Sequence, residues 1–100
     1  MNPIQGQELE DAVTKLPGWG IENNELVRLA TFADFLAAMA FVNRVGELAE
    51  AEAHHPDIDI RYNKVRLALV THDAFNAVTE KDLEMAGKIS TLLQELETKS

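Results

Sequence analysis

Apolar residues recur with two different periods along this chain, and the changes of period divide it into seven segments. A helical spacing is found near the start, in the middle and at the end, in segments that begin around Leu9, Phe32 and Leu83. An alternating spacing, typical of a strand with one buried face, occupies the two regions between them. Each alternating region contains a turn and so predicts two strands. The pattern therefore predicts the order α-β-β-α-β-β-α.

The first alternating region predicts strands at Trp19 to Glu22 and Glu25 to Ala30. They are joined by Asn23-Asn24, a pair that tolerates the positive φ of a tight turn. In the second of these strands Leu26, Arg28 and Ala30 share one face. Trp19 is the single tryptophan, and we interpret it as a core or edge packing residue.

The second alternating region predicts strands at Ile58 to Tyr62 and Val65 to Leu69, connected by Asn63-Lys64. Two hairpins cannot bury their apolar faces alone, so we expect one antiparallel sheet that is covered by helices on one face. The predicted fold class is α+β: a single two-layer domain over residues 1–100, with a four-stranded antiparallel sheet and three helices on one face.

The two longer helices carry capping signals. Thr31 is the predicted N-cap of the middle helix, with its hydroxyl accepting from the Asp34 amide, and this helix is expected to run to about Ala53 before Pro56. Thr79 with Asp82 repeats the capping pattern. The predicted apolar stripes are Phe32, Phe35, Leu36, Met39, Val42, Val45 and Ala49 on the middle helix, and Leu83, Ala86, Ile89, Leu93 and Leu96 on the last.

Composition and charge narrow the classes of partner. The chain has 100 residues, of which 46% are hydrophobic, and its net charge of −8 argues against direct contact with nucleic acid or an anionic membrane. There is no cysteine, which excludes disulfides and thiolate chemistry. The longest apolar run, Phe35 to Val42, is too short to span a bilayer, so we expect a cytoplasmic protein. A domain this small is expected to form a homodimer or homotetramer, with Ile89, Leu93 and Leu96 as the predicted contact.

All three histidines, His54, His55 and His72, fall at predicted strand ends. The first two precede the third strand and the last follows the fourth strand, so pairing of these strands brings the three together. Glu50 lies four residues before His54, a spacing at which a carboxylate can hold an imidazole in one tautomer. A cluster of imidazoles near pH 7 is able to donate and accept protons in one turnover.

Residue types alone leave three interpretations open. His-His-Pro is typical of a solvated helix end, where histidines interact favourably with the helix dipole. Catalysis is the second interpretation, and a metal site built from the three histidines and Glu50 is the third. Adjacent histidines diverge in regular structure, so both His54 and His55 reach one ion only through an irregular turn.

The ordered set of motifs resembles the signature of the pterin-4a-carbinolamine dehydratases. The resemblance extends over about residues 8–97 and rests on Leu16-Pro17-Gly18-Trp19, Glu50-Ala51-Glu52-Ala53-His54-His55-Pro56, Tyr62-Asn63-Lys64-Val65, Thr71-His72 and Thr79-x-x-Asp82. It implies the fold predicted above and the dehydration of 4a-hydroxytetrahydropterin to quinonoid dihydropterin, without metal or organic cofactor. It also implies a small-molecule pterin as partner, and the alternative of a regulatory or dimerisation module.

The resemblance further implies the site residues. His54 and His55 would act as acids toward the 4a-hydroxyl, His72 would bind or shuttle protons, and Glu50 would orient His54. The pterin ring would contact His54, His55, Pro56, Thr71, His72, Asp73 and Ala74. The loop Asp73 to Val78 departs from the family's usual glycine-containing loop, and Asn76 is expected to supply the positive φ there.

Overall fold

The predicted order of elements is confirmed in the structure, a computed structural model that describes residues 2–98. The helices are α1 (Gly6–Thr14), α2 (Phe35–Glu52) and α3 (Glu80–Thr98), and the strands are β1 (Trp19–Glu22), β2 (Glu25–Thr31), β3 (Asp57–Arg61) and β4 (Lys64–Leu69). A single 3-10 turn at His72–Ala74 follows β4. Within the described range, no helix is long and apolar enough to cross a membrane.

The four strands form one antiparallel sheet in the order β1-β2-β4-β3. Each hairpin contributes one central and one edge strand, and the register of the central pair places Leu26 opposite Leu69. One face of the sheet packs against the helices: Leu26 and Leu67 from the sheet are fully buried with Phe41 of α2. The predicted α+β architecture is therefore confirmed.

Trp19 lies in this core, as interpreted from the sequence. It is 7% exposed, and its indole Nε1 donates a hydrogen bond of 2.9 Å to Ser90 Oγ on α3. A buried tryptophan usually requires such a partner for its N–H. The residue therefore ties the start of β1 to the last helix.

The two hairpin turns differ in how well they were predicted. Asn23 and Asn24 both have positive φ, 51° and 65°, as expected. In the second hairpin Arg61 pairs with Lys64, so the turn is Tyr62-Asn63 and the predicted connection Asn63-Lys64 was wrong by one residue. Tyr62 adopts a φ of 55°, and the Asn63 side chain donates to the Phe32 carbonyl. That bond anchors the turn to the chain entering α2.

The N-cap predicted at Thr31 was also wrong. Thr31 pairs with Lys64 and extends β2, while Asp34 caps α2 by accepting from the Ala37 amide at 2.8 Å. Since Thr31 is held in the sheet, the helix begins only after a connection long enough to leave it. Asp34 then supplies the nearest side-chain acceptor.

The apolar stripe of α2 is rotated from the predicted one. Its buried residues are Ala38, Phe41, Val45 and Ala49. Leu36 lies about 160° from Ala38 around a helix of 3.6 residues per turn and is 77% exposed. On α3, Ile89 is fully buried and Leu93 is 6% exposed, so both belong to the core of the chain itself. Ile89 is thus not available as the predicted contact between copies, whereas Leu93 and Leu96 line an open depression on the surface, and a contact through them stays a prediction.

Candidate active site

The end of α2 determines where the first two histidines lie. Ala53 adopts the left-handed conformation, with φ 52° and ψ 39°, immediately after the helix. The amide of His54 donates to the Ala49 carbonyl at 3.1 Å, and that of Ala53 donates to the Glu50 carbonyl at 3.3 Å. These two bonds form the Schellman arrangement that ends many helices. The left-handed residue turns the chain sharply, so His54 no longer follows the helical spacing.

His54 consequently faces α3. Its Nε2 lies 2.5 Å from Oδ1 of Asp82, and the two side chains are 11% and 0% exposed. The expectation that Glu50 orients His54 was wrong, because that expectation required α2 to continue through Ala53. The partner of His54 is a carboxylate that lies 28 residues further along the chain.

Asp82 is part of a buried network at the start of α3. Its Oδ2 accepts from the Thr71 hydroxyl and from the Thr79 amide, both at 2.9 Å. The Asp82 amide returns a bond of 3.0 Å to the Thr79 carbonyl. A third-position carboxylate that accepts from the N-cap amide is half of a capping box, as the sequence pattern predicted. One carboxylate thus caps the helix and contacts His54.

His55, and not His54, is the histidine that contacts Glu50. Its Nε2 lies 2.5 Å from Oε2 of Glu50, and the side chains are 62% and 79% exposed. Water is therefore free to compete for this pair, and even a fully charged pair at such an exposed position contributes only about 0–1 kcal/mol. The contact orients His55 at the rim of the site.

His72 opens the short turn after β4. Its Nδ1 lies 2.6 Å from Oδ1 of Asn76. Phe75 and Asn76 have φ of 57° and 58°, so Asn76 supplies a positive φ as expected, although it shares this role with Phe75. The amide of Thr71 donates to the Ala77 carbonyl at 2.8 Å and closes the loop at its base.

These segments meet around one open depression of about 200 Å³. The pairing of Asp57 with Ala68 places the start of β3 beside the end of β4, which confirms the predicted convergence. The depression is lined by Ala53, His54, His55, Thr71, His72, Asp73 and Lys81. Three predicted residues, Glu50, Pro56 and Ala74, are outside this lining: Glu50 contacts His55, and Ala74 is 3% exposed in the turn.

The hydrogen bonds assign a proton to one nitrogen of each imidazole. Carboxylate and amide oxygens only accept, so the nitrogen that faces each of them must be the donor. His54 and His55 therefore donate through Nε2, and His72 donates through Nδ1. In its neutral form each ring keeps the other nitrogen as a proton acceptor, and in its protonated form that nitrogen becomes a donor. All three imidazoles are thus equipped to exchange a proton with a bound molecule.

Sequence reasoning missed two residues of this site. Asp82 was recognised as part of a helix cap, but nothing in the spacing indicated that His54 would reach it. Lys81 lines the depression because it is in the first turn of α3, beside the cap. Among residues 2–98, no three or more histidine, aspartate or glutamate side chains are arranged to hold a metal ion.

Comparison with known proteins points to one family. The family model described as pterin 4 alpha carbinolamine dehydratase matches residues 2–92. A relative from Acidobacterium capsulatum is 52% identical over 93% of this chain and 100% of its own length. One from Chloroflexus aurantiacus is 54% identical over 93% of this chain and 99% of its own. Both carry the pterin-4-alpha-carbinolamine dehydratase name provisionally.

The same fold occurs in solved structures. A transcriptional coactivator/pterin dehydratase from Brucella melitensis is 34% identical, with a TM-score of 0.84 over 90% of this chain and 97% of its own. A pterin dehydratase-like protein identified as a RuBisCO assembly factor of the alpha-carboxysome is 19% identical, with a TM-score of 0.61 over 74% and 84% of the two chains. The second likeness concerns the fold alone. The family model and the relatives together show that this chain belongs to the pterin-4a-carbinolamine dehydratase family.

Proposed function

We propose that the protein dehydrates 4a-hydroxytetrahydropterin to quinonoid dihydropterin. In this reaction the C4a–O bond breaks, the departing oxygen takes a proton to leave as water, and N5 loses a proton. Hydroxide is a poor leaving group, so the rate depends on proton donation as the bond breaks. The observation that carries the proposal is the convergence of three imidazoles on one depression, each with one nitrogen left for proton exchange.

The proposal gives each side chain a task. His54, His55 and His72 make up the proton-transfer set, with His54 and His55 acting on the 4a-hydroxyl and His72 binding or shuttling protons. Glu50 orients His55. The ring contacts the chain around Pro56 and along Thr71, His72, Asp73 and Ala74. The Thr71 hydroxyl and amide donate to Asp82 and Ala77, so a polar contact from Thr71 is left to its carbonyl, which accepts one bond from the Ala74 amide and has a second lone pair.

The reaction transfers two protons and no electrons, so its chemistry requires neither a metal nor an organic cofactor. Its product is a pterin that a reductase can return to the tetrahydro form. A cytoplasmic place in the recycling of a hydroxylase cofactor agrees with such a reaction. The substrate is a small molecule, and neither nucleic acid nor a membrane takes part.

The test is direct measurement of dehydration. A freshly generated 4a-hydroxytetrahydropterin loses water spontaneously, and the purified chain should accelerate the appearance of quinonoid absorbance in a stopped-flow instrument. The matched control is His54→Gln/His55→Ala/His72→Ala, which removes the three imidazoles while the glutamine keeps an N–H donor for buried Asp82. Equal rates for the two proteins would reject the proposal.

A second candidate is a non-catalytic regulatory or dimerisation module with the same fold. The observation in its favour is a pair of exposed apolar residues at the start of α2, Phe35 at 46% and Leu36 at 77% exposed. Such residues on a helix surface are typical of protein contacts. A chain with no dehydratase activity that nevertheless forms a stable complex through this helix would favour the module.

A further inference from the structure

Asp82 differs from every other residue near the depression in being fully buried while it contacts one of the three histidines. A carboxylate without exposure cannot touch a bound pterin. Its effect on a reaction in the depression must therefore pass through His54. The two carboxylate oxygens of Asp82 have different hydrogen-bond partners.

The proton positions in the network follow from one fixed donor. The Thr79 amide can only donate, and it faces Oδ2 of Asp82 at 2.9 Å. The Thr71 hydroxyl donates to the same oxygen at 2.9 Å. Thr71 has then used its proton, so in the 2.7 Å contact between the two hydroxyls Thr79 is the donor. Oδ2 is saturated with donors, and Oδ1 is left for His54 alone.

Oδ1 accepts from Nε2 of His54 at 2.5 Å. A neutral His54 is therefore held as the tautomer with hydrogen on Nε2, which leaves Nδ1 as the acceptor. We infer that Asp82 is a positioning residue, which fixes the His54 tautomer and so assigns Nδ1 of His54 to proton exchange with the pterin. This inference rests on the proposed dehydratase function, because it states how one histidine of that site performs its task.

The variant Asp82→Asn tests the inference, because its amide orientation is fixed by the same network. The Thr79 amide and the Thr71 hydroxyl still require an acceptor, so the carboxamide oxygen must occupy the place of Oδ2. The NH₂ group then faces Nε2 of His54 and turns it into an acceptor. Hydrogen on neutral His54 is thereby forced to Nδ1, and the ring can no longer accept a proton there.

The first measurement is kinetic. We expect Asp82→Asn to lower kcat by about 10²–10⁴-fold, the loss typical of a missing general acid–base group, because His54 can no longer take up at Nδ1 the proton that it delivers to the 4a-oxygen; KM should change little. If Asp82 acts through His54, the double variant His54→Ala/Asp82→Asn should be no slower than His54→Ala alone. An unchanged kcat in Asp82→Asn, or a further drop in the double variant, would overturn the inference.

The second measurement needs no substrate. Long-range ¹H–¹⁵N spectra of ¹⁵N-labelled imidazoles distinguish protonated from bare ring nitrogens, so the His54 tautomer can be observed in the free protein. We expect hydrogen on Nε2 in the parent chain and on Nδ1 in Asp82→Asn. The same His54 tautomer in both proteins would contradict the inference. If the parent chain fails to dehydrate pterins, the proposed function fails while these spectra still decide the role of Asp82.

A matched control separates positioning from structural support. Thr79→Val removes a hydroxyl from the same buried network, including the acceptor for the Lys81 amide, but leaves Asp82 against His54. We expect this variant to have a lower Tm, the parent tautomer at His54 and a kcat close to that of the parent. A loss of kcat equal to that of Asp82→Asn would mean that Asp82 serves only the helix cap.

Discussion

Glu50 and His55 are joined by a 2.5 Å contact between Oε2 and Nε2, although they are five residues apart. Five residues of regular helix would place two side chains about 140° apart around the axis. The contact exists because the helix ends between them, where left-handed Ala53 turns the chain back. His54 therefore faces the buried carboxylate of Asp82, and His55 faces the exposed carboxylate of Glu50.

The exposed pair predicts a mild phenotype for Glu50→Gln. The glutamine keeps an oxygen that can accept from Nε2 of His55, and water reaches both groups, so the change should lower kcat by at most about fivefold, equivalent to about 1 kcal/mol. His55→Ala should lower it by about 10²–10⁴-fold. Both are measured by stopped-flow dehydration. Glu47→Gln, on the same helix but paired with Arg44, is the control and should be silent.

Equal, measurable losses for Glu50→Gln and Glu47→Gln would assign the effect to helix charge rather than to His55. A loss in Glu50→Gln as large as that in His55→Ala would show that the exposed carboxylate has a direct part in proton transfer.

The buried contact between His54 and Asp82 predicts that alanine variants of the three histidines differ in the free energy of unfolding. His54→Ala leaves Oδ1 of fully buried Asp82 without a donor, which typically costs about 1–3 kcal/mol in the free energy of unfolding and more for a charged group. His55→Ala and His72→Ala remove exposed contacts and should change it by less than about 1 kcal/mol. Urea denaturation of the three variants measures the difference.

His54→Gln is the control for this prediction. Its carboxamide retains an N–H donor for Asp82 but has no group that exchanges protons near neutral pH. It should therefore recover part of the lost stability without recovering turnover. Equal unfolding free energies for all three alanine variants would contradict the assignment of a buried contact to His54.

The fold was predictable because its signals are local and repeated. Alternating apolar residues such as Val65, Leu67 and Leu69 mark a strand wherever it lies in the chain, and all three are fully buried. The convergence of the histidines was equally accessible, since antiparallel pairing brings the start of β3 to the end of β4. Neither inference depends on which rotamer a side chain adopts.

Two predictions, the partner of His54 and the position of the second hairpin turn, failed because the residue types at Ala53 and Tyr62 are unusual for the conformations they adopt. Alanine is rarely left-handed, so nothing marked Ala53 as the point where the spacing from Glu50 to His54 breaks. Tyr62 is likewise an unusual residue at positive φ, and asparagine at Asn63 was the more natural turn residue. In both places tertiary contacts override the preference of the residue, and a sequence pattern records only the preference.

Ala53 leads to a prediction about stability. A left-handed alanine costs about 1–2 kcal/mol relative to its usual conformations, whereas glycine has no such cost. Ala53→Gly should therefore raise the free energy of unfolding by about 1 kcal/mol, after allowance for the more flexible unfolded chain. Ala40→Gly, at an exposed position inside α2, should lower it by about 1 kcal/mol. Urea denaturation that shows a loss at both positions would contradict the left-handed assignment.

The exposed apolar residues at the start of α2 form a candidate surface for the self-association that the chain length predicts. Leu36 and Phe35 project together from the start of α2, whereas exposed Leu29 lies among Asp59, Arg61, Lys64 and Arg66 on the open sheet face. We expect a dimer or tetramer by light scattering at micromolar concentration, and a lower mass for Leu36→Asp than for Leu29→Asp. A monomeric parent chain, or a larger loss with Leu29→Asp, would contradict this.

The double duty of Asp82 has a consequence for how such chains diverge. One of its oxygens stabilises the first turn of α3 and the other holds His54, so loss of this residue weakens the fold at the same time as the site. Natural selection for folding alone would preserve the carboxylate, whereas nothing in the fold demands an imidazole at the exposed positions. Descendants that abandon pterin chemistry for another task should therefore keep the threonine and aspartate of this helix start and lose His55 and His72 first. A descendant that keeps this helix cap but has other residues in place of His55 and His72 would be one that has lost the enzymatic activity.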